Sequence, residues 1–282
     1  MTLLDPMRLE ILQENHIMRF KFLIPVFLCC FNLFLSLTIA EVKEMNLKEG
    51  MIGAWLFDDG KGDIAKDSSG HNLHAKFDKG TPKWSKGKFA GGLEFDGQSQ
   101  ASVPDNELMH LKSFTLTTWM NSPKTSGKWQ ILAAKENRGD GGNRNYGLFA
   151  HIDKGVMHYS FTSGGWKSYD GKTVVTDGKW HYITTTYEQP NLTLYIDGKV
   201  DGKQEPNAVP DTPKNKFFIG GCDLDGAGYY LTGTLDDMAL YNRALSEKEI
   251  NQLMNTGLKE GMTSVEAKDK LVKTWARLKG QN

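Results

Sequence analysis

Cysteine is nearly absent: three in 282 residues, Cys29, Cys30 and Cys222. Two of them sit together in an apolar N-terminal run, so the chain beyond that run keeps Cys222 alone. It has no internal disulfide and must be held by its core or by metal. Net charge is missing as well. The 34 Lys and Arg cancel the 34 Asp and Glu, and the balance survives removal of the first 40 residues. No global field draws the chain to nucleic acid or to an anionic membrane. Nucleophile elbows of the Gly-x-Ser-x-Gly type and His-Glu-x-x-His metal motifs are absent. His71 and His74 lie in a polar stretch near glycine and read as surface or turn residues. There is no internal repeat and no low-complexity segment.

What is abundant is glycine, 30 residues, with eight Asp-Gly pairs. Many tight turns suit an all-β architecture. The clearest stretch is 177–199, DGKWHYITTTYEQPNLTLYIDGK. Leu192, Leu194 and Ile196 share one face of an extended strand, and Thr193, Tyr195 and Asp197 the other. Asp-Gly accepts the positive φ that hairpins need, so a β-hairpin within a larger antiparallel sheet is expected. Further strands are expected over 51–58, on either side of Asp96-Gly97 within 92–103, over 113–120 and 128–135, in a hairpin over 146–161, and over 216–220 and 229–241. Ser246 and Glu249 form a capping box ahead of an apolar helical face of Ile250, Leu253 and Met254, ending at Gly257. Thr263 with Glu266 suggests a second helix carrying Val265, Leu271, Val272, Trp275 and Leu278.

Residues 18–40 have the form of a secretory leader. Arg19 and Lys21 precede an apolar run from Phe22 to Ile39, and Thr38 and Ala40 fit a small-residue cleavage site. Met18 then reads as a start. The expected organisation is residues 1–40 as extension and leader, 41–257 as the domain, and 258–282 as an amphipathic helical tail. The expected location is secreted or extracytoplasmic. The alternative is a chain anchored by residues 22–39, the only route to a membrane.

Five segments, AWLFDDGKGDIAKDSSG (54–70), GGLEFDGQSQASVP (91–104), FTLTTWM (114–120), the 177–199 hairpin and GTLDDMALYNRALSEKEI (233–250), together resemble the laminin-G-like members of the concanavalin A-like lectin/glucanase superfamily. The resemblance spans about residues 50–257 in the family's order. It implies an all-β fold, a two-sheet antiparallel jelly-roll β-sandwich, with the helical tail outside it. It also implies a choice among lectins, adhesive modules, carbohydrate-binding modules and glycoside hydrolases, which fold alone does not make. The hydrolase branch carries its carboxylates as E-x-D-x-x-E, and no segment here has that pattern. Asp236 and Asp237 are adjacent, so on a regular strand they point to opposite faces. A non-catalytic binding module is the expectation, with a glycan or an extracellular protein as partner.

The resemblance further implies a structural Ca²⁺ near the end of the 233–241 strand. Asp236 matches that position and shares parity with Met238 and Leu240. Asp58 and Asp67 are its candidate companions, with carbonyls and water completing the shell. The alternative is that Asp236 accepts backbone N–H groups and Asp67 caps a turn. For the ligand, aromatic rings would stack on sugar C–H faces while amides and charges bond the hydroxyls. Arg144, Asn145, Trp166, Tyr169, Tyr229 and Tyr230 fall near loops that rim such a face, against the alternative of ordinary packing. Trp55, Trp119 and Trp180 read as core.

Overall fold

Alternating apolar and polar residues can bury only one face of a sheet, and two such faces close on each other. In the computed structural model, which describes residues 45–123, 127–137, 143–222 and 228–263, this produces two eight-stranded antiparallel sheets. Sheet A runs β14 (Lys199–Gln204), β13 (Asn191–Ile196), β12 (Trp180–Glu188), β7 (Phe114–Asn121), β16 (Thr232–Tyr241), β5 (Gly91–Asp96) and β4 (Lys83–Lys86), with β1 (Met51–Trp55) also paired to β16. Sheet B runs β11 (Trp166–Val174), β10 (Val156–Thr162), β9 (Asn143–Ala150), β8 (Gln130–Asn137), β15 (Phe217–Ile219), β6 (Gln100–Val103), β3 (Ala75–Lys79) and β2 (Ile64–Ala65).

The 177–199 stretch forms the expected hairpin, with Ile183 opposite Ile196 and Glu188 opposite Asn191. Leu192, Leu194 and Ile196 face the core between the sheets. The strands flanking Asp96-Gly97 do not pair with each other. β5 bonds β16 and β4 in sheet A, whereas β6 bonds β15 and β3 in sheet B. Gly97, at φ 82°, turns the corner between the layers. The inter-sheet core is rich in rings. Phe114 lies 5.3 to 5.8 Å from Tyr146, Tyr159 and Tyr187, and Trp55 stacks on Phe217 at 5.4 Å.

The outer face of sheet A is covered. The helix α1 (Glu247–Thr256) starts at the expected Ser246–Glu249 capping box. Its Ile250 and Leu253 pack with Trp119, Tyr182, Ala239 and Tyr241. Trp119 and half-buried Trp180 therefore lie beneath this cap, while Trp55 alone of the three lies between the sheets. Gly257, at φ 79°, ends α1, but the chain turns helical again over 258–263. Leu258 and Met262 join the same apolar cluster. The helical tail thus begins as part of the cap. Thr263 is the last described residue of this helix, and its hydroxyl donates back to the Lys259 and Glu260 carbonyls. The stripe from Val265 to Leu278, like the leader, lies outside the described residues.

One irregularity reorders the chemistry. The register of β16 against β7 shifts between Asp236 and Ala239, and Asp237 has φ 46°. This is a β-bulge. Leu235, Met238 and Leu240 reach the inter-sheet core, and Asp236 does not share their face. The strict two-residue parity fails at the bulge. Asp236 and Asp237 both turn toward the cap: Asp236 bonds the 88–89 backbone, and Asp237 bonds the start of the 258–263 helix.

Candidate functional site

Because a helical layer covers the outer face of sheet A, the outer face of sheet B is the broad face without one among the described residues. Parity selects what it presents. On β10, Met157, Tyr159 and Phe161 point into the core, so His158, Ser160 and Thr162 point outward. On β11, Tyr169 packs against the core, and Trp166, Ser168 and Asp170 take the outer phase.

Arg144 is the organising residue of this face. It is only 3% exposed. Its Nε and Nη2 donate to Glu136 Oε2 at 2.8 and 2.5 Å, and its Nη1 donates to the Ser160 hydroxyl. The guanidinium carbon lies 4.2 Å from the Phe149 ring centroid and 4.8 Å from that of Trp166. The cation is thus in contact with both rings. Gly147 makes this possible, since a Cβ there would come within 2.6 Å of the Phe149 ring and 2.7 Å of Arg144 Cδ. Trp166 remains 50% exposed. Four positions along β11, Asp170 bonds His158 Nδ1 at 2.7 Å and Lys154 Nζ at 2.6 Å. Trp129 lies 4.6 Å from the ring of His151 and 4.5 Å from that of His158.

Of the six ligand residues expected from sequence, only Trp166 is both exposed and on this face. It is the first residue of β11, directly after the 163–165 bend. Arg144 is present but buried, so it supports Trp166 instead of reaching a ligand. Asn145 leaves the set: it is fully buried at a bulge, where its side chain bonds Leu111 N at 2.9 Å and Leu111 O at 2.7 Å. Tyr169 leaves it too, turned toward the core. Tyr229 packs beside Ile131, Phe149, Phe218 and Cys222. Tyr230 lies under Lys79, 5.2 Å from ring to ammonium. Residues 138–142 and 223–227, which hold the rest of those two loops, are outside the described residues. Sequence reading missed Glu136, Phe149, His158 and Asp170. Their only signal was outward phase on strands whose alternate residues are strongly apolar.

The three metal candidates separate. Asp67 is committed to the backbone: Ala54 N and Ser69 N donate to Oδ1 at 2.9 and 2.8 Å, and Leu73 N and the Ser69 hydroxyl donate to Oδ2 at 2.9 and 2.8 Å. It is a turn-holding carboxylate, and His74 assists by accepting from Asp67 N at 3.0 Å. Asp58 and Asp236 instead converge on the 87–91 loop. Asp236 Oδ2 accepts from Lys88 N at 2.7 Å and Phe89 N at 3.0 Å, and Asp58 Oδ1 accepts from Gly91 N at 2.7 Å. A Cβ at Gly87 would collide with the Gly91 carbonyl and lie 2.6 Å from Asp236 Oδ2, and one at Gly91 would lie 2.5 Å from the Phe57 carbonyl. Burial pushes Asp236 up to about 6, against the backbone N–H groups that favour its charge. Burial pushes neighbouring Asp237 up to about 7, helped by Asp236 and Asp58. Phe57 and Asp237 both hold a left-handed backbone, at φ 55° and 46°, a strain that clusters at functional sites. No three acidic, histidine or cysteine side chains among the described residues are grouped to hold a metal by themselves.

This two-sheet sandwich defines a laminin-G-like module. The family model Laminin_G_3, of the concanavalin A-like lectin/glucanases superfamily, matches residues 95–251, and the chain belongs to that superfamily. Calsyntenin-1 of Rattus norvegicus is 23% identical over 189 residues, 60% of this chain and 19% of that protein. The chain therefore spans about a fifth of the length of this curated relative. Domain 4 of AbnA, an extracellular GH43 arabinanase of Geobacillus stearothermophilus solved with arabinotriose, superposes with a TM-score of 0.59 at 18% identity, over 72% of this chain and 98% of that one. The binding domain of Paraclostridial mosquitocidal protein 1 has a TM-score of 0.59 at 19% identity, over 74% and 53%. At these identities the solved structures share the fold alone.

Proposed function

We propose that the chain is an exported, non-catalytic glycan-binding module whose ligand rests on the outer face of sheet B. The observation that carries this reading is Trp166, half exposed on a strand and braced from below by a buried guanidinium. A ring so fixed offers sugar C–H groups a flat surface at little cost in side-chain entropy. The arabinotriose complex of the arabinanase domain supports a sugar ligand for this fold. Replacing Trp166 with Ala is expected to weaken binding by about tenfold or more, measured by titration with the best ligand from a glycan array, while circular dichroism stays unchanged. Equal affinity would remove Trp166 from the site, and a blank array would sink the glycan reading.

The carboxylates support the absence of catalysis. Glycoside hydrolysis needs an acid held protonated near neutrality. On the sheet B face, Glu136 is paired with Arg144. Burial pushes Asp170 up, but its bonds to Lys154 and His158 outweigh that and hold the carboxyl below its ordinary value. The two raised carboxylates, Asp236 and Asp237, lie on sheet A beside the cap.

At that second place we propose a structural calcium. The Asp58 and Asp236 carboxylates with the Phe57 and Gly91 carbonyls form an all-oxygen set, as a hard cation requires. Bound there, the ion would neutralise buried negative charge and tie β1, the 87–91 loop and β16 together. Export by the 18–40 leader completes the proposal. N-terminal sequencing of the exported chain is expected to begin at Glu41, and an intact leader on membrane-bound protein would favour the anchored form.

A further inference from the structure

We infer that the Trp166 face of sheet B takes a neutral glycan, one without carboxylate or sulfate groups; this rests on the binding reading above. An acidic sugar is held by a cation with donors to spare, preferably a guanidinium offering two parallel N–H groups. The guanidinium beneath Trp166 is buried, with Nε and Nη2 donating to Glu136 and Nη1 to Ser160, so it does not reach the surface to grip an anion. Its central carbon lies 4.2 Å from the Phe149 ring centroid and 4.8 Å from that of Trp166.

The surrounding charges follow the same rule. Lys154 is paired with Asp170 at 2.6 Å. Burial holds His158 below the ordinary imidazole value despite the Asp170 carboxylate beside it, so near neutral pH it adds no positive charge. Asp170 itself is exposed on the outer phase of β11, two strand positions from Ser168 and four from Trp166. Lys167, next to Trp166, lies on the opposite phase of β11. Farther across the sheet, Lys216 is paired with Asp78 at 2.9 Å, and Asp78 also accepts from Gln100 and Ser102. Among the described residues, the outward neighbours of Trp166 are Thr162, opposite it on β10, and Ser168 on β11, hydroxyls suited to uncharged hydroxyl-rich rings.

The test is calorimetric titration of the full chain with soluble arabinan, xylan and mixed β-glucan, and with heparin and polygalacturonate, at about 50 and about 500 mM NaCl. The expected result is binding to a neutral polymer whose affinity changes less than about twofold between the two salts. Trp166→Ala should weaken it about tenfold or more, and both acidic polymers should bind at least about tenfold more weakly. Tighter binding to heparin or polygalacturonate that fades as salt rises, and that Trp166→Ala abolishes, would overturn the neutral preference and leave the Trp166 site standing. Binding to none of the polymers would overturn the site and the preference together. Trp166→Phe, which keeps a flat ring, is expected to keep most of the affinity; its loss would mean that stacking is not the mode of recognition.

Discussion

Replacing Glu136 with Ala is expected to destabilise the protein by about 3–5 kcal/mol, because it strands a buried guanidinium. For a domain of this size that corresponds to a melting temperature lower by about 10 °C. Glu136 is fully buried and accepts from both Nε and Nη2 of Arg144. The variant should also lose glycan binding, since Trp166 rests on the cation that Glu136 positions. A second variant separates the two effects. Glu136→Ala with Arg144→Met replaces the ion pair by apolar groups, and such exchanges are often neutral for stability. The double variant should regain most of the lost melting temperature while binding stays weak, because nothing flat and cationic then braces the indole. If the double variant recovers binding along with stability, Arg144 does not position Trp166.

Calcium is expected to have an effect of similar size. At about a hundredfold excess over its dissociation constant, an ion that binds only the folded state adds about 2.7 kcal/mol, which raises the melting temperature by about 5–10 °C. The effect should depend on pH in a definite direction. Asp236 and Asp237 are raised to about 6 and about 7, so between roughly pH 4 and 7 the folded chain holds protons that the unfolded chain has released. The stability these groups contribute is full below about pH 4 and is lost as pH rises through 6 to 7. Without metal the protein should therefore melt higher at pH 5 than these two groups allow at pH 8. Calcium favours the ionised form, so its gain should be larger at pH 8. Asp236→Asn should abolish the gain and, lacking the buried charge, should cost little in the absence of metal. A melting curve in EDTA that overlays the curve in calcium at pH 8 would remove the metal and leave Asp236 as an acceptor for Lys88 and Phe89.

How far the sequence could be read depended on whether a property was local. The hairpin over 177–199 was legible because the period of its apolar residues and the chemistry of its turns are carried by neighbours in the chain. The capping box at Ser246 was legible for the same reason, since both of its bonds are made within four residues. Parity reasoning also placed Leu192, Leu194 and Ile196 in the core. It failed at Asp236 because a bulge is set by how β16 must register against β7, and no pattern within β16 alone announces it. It failed again at Asn145, a loop-like polar residue that a bulge drives inward to bond Leu111, 34 positions away.

The sequence by itself determined the class of this protein: an all-β sandwich without disulfides, without a charge bias and without a catalytic motif. Composition and short-range periodicity decide those properties, and both are complete in one dimension. Only the tertiary structure decided which face lacks a helical cover among the described residues. The cap of α1 and residues 258–263 closes the outer side of sheet A over Trp119 and Tyr182, and leaves sheet B to present Trp166. It also decided that Arg144 is buried against Glu136, and that Asp58 and Asp236 hold the same 87–91 loop while Asp67 does not. These are questions of which distant segments share a desolvated space, and burial and pairing there depend on the packing of layers.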